Sequence, residues 1–419
     1  MATPRMGLAA RRLALGYTQE RLAELVGVSV GTIGRWERGE TKTLTPTVQP
    51  RLAKALRLRA VQELLDLLHP QPLVFAVPAA GDVGKTRSSS ATASFRQRGD
   101  LDRVHAAVPL LRRVLDAFDL PDDGPTRSLK EIGADVARVN EHRLEARYGV
   151  LADCLPDLLA ELARASQLGD GQQHQQAAAL RALAFRAADG IAFKFGYLDL
   201  SARLIDLMRQ SAAVANDSLL VAAAEYVRTE TFFANGDLST GGRALVRAAD
   251  QVALSKQDTP NVAATYGSLH MRAAVVAGRI GDSRGAADHL REARRAAQKV
   301  REGVYHGTAF GPLSIRIHEL AVAAELRDPA GVERASTWHP PSELPAERRS
   351  HYYIDLGRAQ LDLGRHDDAY VSVEMAREAA PQHTREHPQV KSTVGALLQL
   401  RPGNSRVVEL AAWAGARAI

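Results

Sequence analysis

Three stretches of this chain carry residue types at spacings that could do chemistry. In residues 18–39, TQERLAELVGVSVGTIGRWERG, Arg35 has a guanidinium fork that matches O6 and N7 of guanine together. Val30, five residues earlier, could touch a thymine methyl. Residues 79–86 read Ala79-Ala80-Gly81-Asp82-Val83-Gly84-Lys85-Thr86, a relaxed A-x4-G-K-T in which backbone amides would cradle phosphates. His383-x3-His387 has the spacing of two metal ligands on one helical face.

The second and third weaken in context. A phosphate loop needs a helix starting at Lys85-Thr86, and the chain instead continues Arg87-Ser88-Ser89-Ser90-Ala91-Thr92. No hydrophobic strand ending in an acid follows to hold magnesium, so the segment reads as linker composition. Pro381 and Pro388 bracket the two histidines, so no helix is expected to align them. The histidines at 270, 289, 306, 318, 339, 351 and 366 have no second ligand at standard spacing, and no HExxH occurs. Pairs such as Glu378 and Glu386 are ordinary surface charge, and no nucleophile elbow is present. No catalytic site, cofactor or metal is expected, and the chain is not read as an enzyme.

The first stretch has the elements that position it. Thr18 can cap a helix whose first turn carries Glu20, which suits the helix dipole. Leu22, Leu25 and Val26 recur at i, i+3, i+4 as its apolar face. Gly27 stands where the chain must turn, at positive φ. Ser29 is placed to cap a second helix with apolar Ile33 and Trp36, which Gly39 ends. Two short helices joined by a tight turn make a helix-turn-helix, and the second would lie in a DNA groove.

These residues resemble the Cro/phage-repressor (XRE) family of helix-turn-helix regulators. The match runs through Leu8-x-x-Arg11-Arg12, Tyr17-Thr18-Gln19-x-x-Leu22-Ala23 and Val28-Ser29-x-x-Thr32-Ile33-x-Arg35-Trp36-Glu37-x-Gly39. Leu52-Ala53-x-Ala55-Leu56 matches the fourth helix, so the likeness covers about the first 68 residues, the size of that five-helix domain. The resemblance implies base readout by Val30, Gly31, Thr32 and Arg35. It implies phosphate contact by Gln19, Thr32, Lys42 and the amides near Thr41. It also makes Arg12 and Glu37 a structural ion pair. Trp36 continues the Ile33 stripe and is core, and Arg38 is solvated. Gly31 leaves one readout position without a side chain.

Charge agrees. Residues 1–70 hold 11 Lys+Arg and 6 Asp+Glu, whereas the remaining 349 hold 43 and 42. The excess positive charge thus lies on the part that would meet phosphates. Only eight of 54 basic residues are Lys, and Ala and Arg abound, the coding bias of a high-GC bacterial source. At 419 residues with 5% aromatics, the chain can build two or three helical domains packed through small side chains. The single Cys154 excludes an intrachain disulfide and a Cys-based zinc site; it fits a reducing cytoplasm, as a buried small hydrophobe. With no apolar run long enough to span a bilayer and no signal peptide, a cytoplasmic protein without membrane contact is expected.

Beyond residue 68 the pattern breaks at His69-Pro70-Gln71-Pro72, and residues 69–99 read as a flexible linker spanning on the order of 30 Å. Residues 100–419 read as helices, with Ser128-Leu129-Lys130-Glu131 as a capping box. One unit reads Tyr353-x2-Leu356-Gly357-x2-Gln360-x3-Gly364-x4-Ala369-x3-Val373-x2-Ala376-x4-Pro381, which resembles the tetratricopeptide repeat. Gly357 and Ala369 are small because its two helices cross closely. Weaker copies fall at Ala274, Gly281, Ala286, Leu290, Ala293 and at Phe232, Gly236, Gly241, Leu245, Ala248. Degenerate turns lie near Gly196-Tyr197 and Arg327-Asp328. Such repeats stack into a superhelix with a concave groove for a peptide or partner helix. Tyr266, His270, Tyr305 and Phe310, with His306, Trp338, Tyr352 and Tyr353, could line it or form repeat core.

The expected architecture is all-α: a five-helix Cro-type domain (1–68), the linker (69–99) and a tetratricopeptide-like α-solenoid (100–419). The expected protein is a sequence-specific regulator of double-stranded DNA. Its repeats form a homodimer, or bind a peptide, a small molecule or a partner protein. A protein-interaction scaffold, and a nucleotide switch using Lys85, are the alternatives.

Overall fold

The computed structural model describes residues 17–37 and 48–56, with Leu8, Arg11, Arg12, Leu15, Leu44, Leu58 and Leu64 around them, and residues 88–418 apart from Gly169 and Lys256. The chain divides into two units, Met1–Lys85 and Thr86–Ile419.

In the first unit, α1 (Gln19–Val26), α2 (Val30–Glu37) and α3 (Gln49–Ala55) surround one apolar core. Thr18 Oγ1 accepts from the Arg21 amide at 3.2 Å and starts α1. Gly27 ends it at φ 74°, where the Val28 amide reaches back to the Ala23 carbonyl at 3.0 Å. Leu8, Leu22, Val26, Ile33, Trp36, Leu52, Leu56 and Leu64 are buried together. Leu25, expected on the apolar face of α1, is 42% exposed. The buried stripe is Leu22, Ala23 and Val26. At 100° per residue, Leu25 lies about 110° around the helix from the centre of that stripe.

The second unit opens with α4 (Ser88–Asp116), which takes in residues 88–99 of the expected linker; residues 69–87, with the whole phosphate-loop look-alike at 79–86, lie outside the described residues. Six helical hairpins follow. They are α5/α6 (Leu129–Leu144, Tyr148–Leu168), α7/α8 (Gly171–Lys194, Leu198–Val214) and α9/α10 (Ser218–Asn235, Leu238–Ala253). Then come α11/α12 (Pro260–Arg279, Ser283–Ala297), α13/α14 (Pro312–Glu325, Pro329–Ser336) and α15/α16 (Ala346–Asp362, His366–Ala379). Helices α17 (Pro381–Glu386), α18 (Pro388–Leu400) and α19 (Ser405–Ala414) complete the unit.

One turn chemistry repeats. A residue at positive φ ends the first helix of every hairpin: Ala146, Gly196, Gly236, Gly281, Arg327 and Gly364. In five of them the next amide bonds a carbonyl five residues back, as in Tyr197 to Ala192 at 2.8 Å and Arg365 to Gln360 at 2.8 Å. The expected turns at Gly196, Gly236, Gly281, Arg327 and Gly364 are therefore all present. The Ala146 turn was hidden, because no glycine marks it. Gly357 has the close crossing foreseen for it, since a Cβ there would stand 3.2 Å from the Ala369 carbonyl. The Ser128–Glu131 capping box is formed on both sides.

Three further features depart from the sequence reading. A two-stranded hairpin, β1 (Gly303–Tyr305) and β2 (Thr308–Phe310), joins α12 to α13 through a two-residue turn in which His306 and Gly307 both have positive φ. Cys154 is exposed, not buried. The helical array also closes on itself. Gly149 of α6 donates to Gln382 Oε1 at 3.2 Å, Lys194 of α7 meets His383, and Arg143 of α5 pairs with Glu347 of α15. The first and last hairpins of the array are thus in direct contact.

Candidate nucleic-acid interface and the buried charge of the repeats

Helix α2 has two unlike faces. Ile33, Gly34, Trp36 and Glu37 are buried beneath it, whereas Val30, Gly31 and Arg35 are exposed and Thr32 is half-buried. The residues expected to read bases thus share the solvent side. Arg35 Nη2 donates to Thr32 Oγ1 at 3.2 Å, and the Thr32 and Ser29 hydroxyls lie 2.8 Å apart. Ser29 thereby turns its hydroxyl to Thr32, while its carbonyl accepts the first helical amides. A Cβ at Gly31 would meet nothing within 4 Å, so this position is empty space on the exposed face.

The helix is held from behind. Arg12 Nε and Nη2 donate to the two Glu37 oxygens at 2.6 and 3.2 Å, and Arg12 Nη1 donates to the Tyr17 carbonyl at 2.7 Å. Gln19 Nε2 donates to Glu37 Oε2 at 2.6 Å. Glu37 therefore ties the start of α1 to the end of α2, and Gln19, expected at a phosphate, is anchored on it. Arg38, Gly39, Thr41 and Lys42 lie outside the described residues.

In the second unit the expected groove aromatics divide between cores. Phe310 is fully buried with Ala264, Met271 and Ala296, and Tyr266 and Tyr305 pack beside it. Tyr352 and Tyr353 are buried in a separate cluster that Trp338 packs against, and the Tyr352 hydroxyl donates to the Ala335 and Trp338 carbonyls at 2.7 and 2.6 Å. His270 Nδ1 lies 2.9 Å from His289 Nδ1. His289 also borders a surface groove of about 560 Å³ with Leu238, Gly242, Arg243, Val246 and Asp250.

What the sequence did not disclose is an ionic interior. Arg143, Arg186 and Arg348 are buried, and the Lys194 and Arg272 side chains are nearly so. The carboxylates that pair with these cations among the described residues are three, Asp189, Glu230 and Glu347. Arg186 pairs with Asp189 at 3.3 Å and Glu230 at 3.6 Å, and Arg272 reaches Glu230 at 3.5 Å. Glu347 receives Lys194 at 2.6 Å and Arg143 at 3.6 Å. Burial would raise the Glu347 carboxyl, but Lys194, Arg143 and Arg348 hold it well below the usual carboxylate range. Burial and the neighbouring Glu230 push Asp189 well above it. These residues come from five helices and are spread over more than 200 positions, so no local pattern could announce them.

The tip of the β-hairpin enters this interior. Arg143 Nη2 donates to the Gly307 carbonyl, and a Cβ at Gly307 would stand 3.5 Å from Arg186 Cγ. Beside it, the ring nitrogens of His351, His383 and His387 come within 4.8 Å of one another. Prolines 381 and 388 do not prevent this, because each starts its own helix: Pro381 opens α17, and Pro388 opens α18 after His387. Lys194 Nζ already lies 3.2 Å from His383 Nε2, and Ser350 Oγ lies 2.7 Å from His383 Nδ1. The Lys194 ammonium thus stands against one of the three rings, His383.

No helix among the described residues is long and apolar enough to cross a membrane. No curated protein and no solved structure matches the chain. Residues 8–62 match the family model described as Helix-turn-helix, and the N-terminal unit is a helix-turn-helix domain of the Cro type.

Proposed function

We propose that this protein is a sequence-specific DNA-binding transcriptional regulator, in which α2 reads base edges in the major groove. The observation that carries the reading is the division of α2. Arg35, Val30, Gly31 and Thr32 share the open side, while Ile33 and Trp36 lock the helix into the core. The family match over residues 8–62 and the positive excess of residues 1–70 support it. In this reading the tetratricopeptide-like repeats pair two chains or take up an effector. A dimer would present two α2 helices to half-sites about 34 Å apart.

Binding-site selection on fragmented genomic DNA, with the full chain and with Arg35→Ala, tests the reading. Enrichment of one motif with paired half-sites, relaxed at a guanine in Arg35→Ala by roughly ten- to hundredfold, is expected. Affinity should fall steeply with salt. A chain that enriches nothing and whose DNA retention is indifferent to salt would instead be an interaction scaffold.

A further inference from the structure

The interior of the repeat unit is built with more positive charge than it can pair. Its five cations meet three carboxylates, and Asp189 is pushed toward its neutral form. A buried charge without a partner is costly, so a surplus of this kind needs an anion. The surplus has an address. Arg348 is 8% exposed, its Nε has no hydrogen-bond partner, and among the described residues no carboxylate stands within ion-pair distance of it. The Arg143 Nε, the Arg186 Nε and the Tyr148 hydroxyl are likewise buried without hydrogen-bond partners, and the Tyr226 hydroxyl lies against the Arg348 guanidinium. Burial alone would raise the Tyr226 hydroxyl, yet Arg272, Arg348 and Arg186 together draw it below its ordinary value. Three guanidinium groups therefore act on one buried point.

We propose that this interior is the binding site of a small, doubly charged oxyanion, a phosphate monoester or a dicarboxylate, held by Arg348, Arg186, Arg143 and Tyr226 once the His306-Gly307 turn moves aside. Guanidinium forks match the paired oxygens of both groups, and a second charge uses the surplus that a single charge would leave. The Gly307 carbonyl already receives Arg143 Nη2, so a neutral oxygen stands where an anionic one would bind more strongly. The turn is held by the Arg143 bond to the Gly307 carbonyl and by His306 Nε2, 3.9 Å from Asp217 Oδ2. His306 Nδ1 and Thr308 Oγ1 are buried without partners, and His306 carries a positive φ of 49°. The hairpin base is fixed, since Glu302 Oε2 accepts from the Leu313 and Ser314 amides at 2.8 and 3.1 Å. A tip that moves on a fixed base is a plug. The guanidinium groups are buried among five helices, which favours a compact ligand.

This inference rests on the sensor reading of the repeats and is tested apart from DNA. Calorimetry and thermal melts of the full chain would use inorganic phosphate, glycerol 3-phosphate and succinate, with acetate and glycerol as controls. Saturable heat and a raised melting temperature with a phosphate probe or with succinate, and not with the controls, are expected; which probe acts separates the two sources. Tyr226→Phe keeps the volume and should weaken binding several-fold. Arg348→Gln should weaken it at least tenfold, and Arg348→Lys less. Hydrogen exchange at residues 304–308 should quicken on binding. The proposal is overturned if no probe binds at millimolar concentration, if acetate binds as well as succinate, if Tyr226→Phe and Arg348→Lys bind like the parent, or if exchange at the turn is unchanged. Loss of DNA binding without loss of probe binding would overturn the regulator reading and leave this one standing.

Discussion

Gly190 has no side chain at the point where Arg143 needs room. A Cβ at 190 would stand 2.7 Å from Arg143 Cδ and 2.8 Å from its Cγ, so the bare α7 backbone is what admits the stem of this buried arginine. Arg143 is 1% exposed, and burial together with the neighbouring Arg186 lowers its guanidinium to about 10. The residue spans the unit, reaching Glu347 from α5 on one side and the Gly307 carbonyl on the other. Gly190→Ala should therefore destabilise the fold by about 1–3 kcal/mol in urea titration, by overpacking and by disturbing the ionic interior. Gly99→Ala is the control, because a Cβ there meets nothing within 4 Å and Gly99 lies inside α4. That change should be neutral or stabilise by up to about 1 kcal/mol. Equal losses in the two variants would remove the special role of Gly190.

Glu37 should be the least replaceable residue of the N-terminal unit. Both of its oxygens are engaged, by Arg12 and by Gln19, and both members of the ion pair are 9% exposed. Removing one partner leaves the other charge buried, so Glu37→Gln should cost about 3 kcal/mol. Arg12→Met with Glu37→Leu should cost less than either single change. On DNA the single variant should weaken all sequences alike, while Arg35→Ala changes which sequence is preferred. Thermal melts and the same selection experiment separate these outcomes.

Gly31 offers a gain of function. The position is exposed, in mid-face, with nothing within 4 Å of an added Cβ. Gly31→Asn should leave the fold intact and add an amide able to bond adenine N6 and N7. A new adenine preference of roughly ten- to hundredfold at one base step is the expected result. A selection motif unchanged from the parent would show that α2 does not place residue 31 near a base edge.

The parts of this protein that were legible in sequence are those governed by local rules. Thr18, Gly27 and the stripe through Ile33 and Trp36 carry the first unit, since caps, turns and helical periodicity act within a few residues. Gly196, Gly236, Gly281 and Gly364 mark hairpin turns for the same reason, as a positive φ selects glycine. Leu25 was misplaced because spacing alone fits two stripes, and the partner helices choose between them. The two-residue turn at His306-Gly307 carried the right signal, an X-Gly pair, but without strong alternation on either side. The ionic interior was illegible. Arg143, Asp189, Glu230, Arg272 and Glu347 look like surface charge on amphipathic helices, and only closure of the array, through contacts such as Gly149 to Gln382, buries them.

Arg327 occupies a position its neighbours give to glycine. It has φ 52° at the α13/α14 turn, and its side chain is exposed. A left-handed conformation costs a non-glycine residue about 1 kcal/mol, and no packing is lost on truncation here. Arg327→Gly should raise stability by about 0.5–1 kcal/mol, partly offset by the freedom glycine gains when unfolded. Gly364→Ala, at φ 76°, should do the reverse. Opposite shifts in melting temperature are the expected pair of results, and a loss in both would reject the turn argument.

The buried histidines should make the repeat unit acid-labile. Burial, then Arg348 and Arg272, lower His318 from 6.5 to about 3, and burial, then Lys194, lowers His387 to about 3. Burial, then His383, Lys194 and His387, hold His351 well below 6.5, with Glu347 opposing, and burial, then Lys194, His387 and Arg348, do the same to His383. A folded value below the unfolded one means that the native state stays unprotonated while the unfolded chain takes up protons. The stability this represents is fully present above pH 6.5 and is lost as pH falls through the window toward about 3. Each group lends a slope of about 1.4 kcal/mol per pH unit, so the four together could reach about 5, with His351, a third exposed, contributing least. Urea midpoints should hold steady from pH 8 to 7 and then fall steeply between pH 6 and 4. His318→Gln should flatten that fall by about one proton. A midpoint unchanged from pH 7 to 4.5 would mean that these rings protonate in place, with Glu347 and water replacing the neutral packing inferred here.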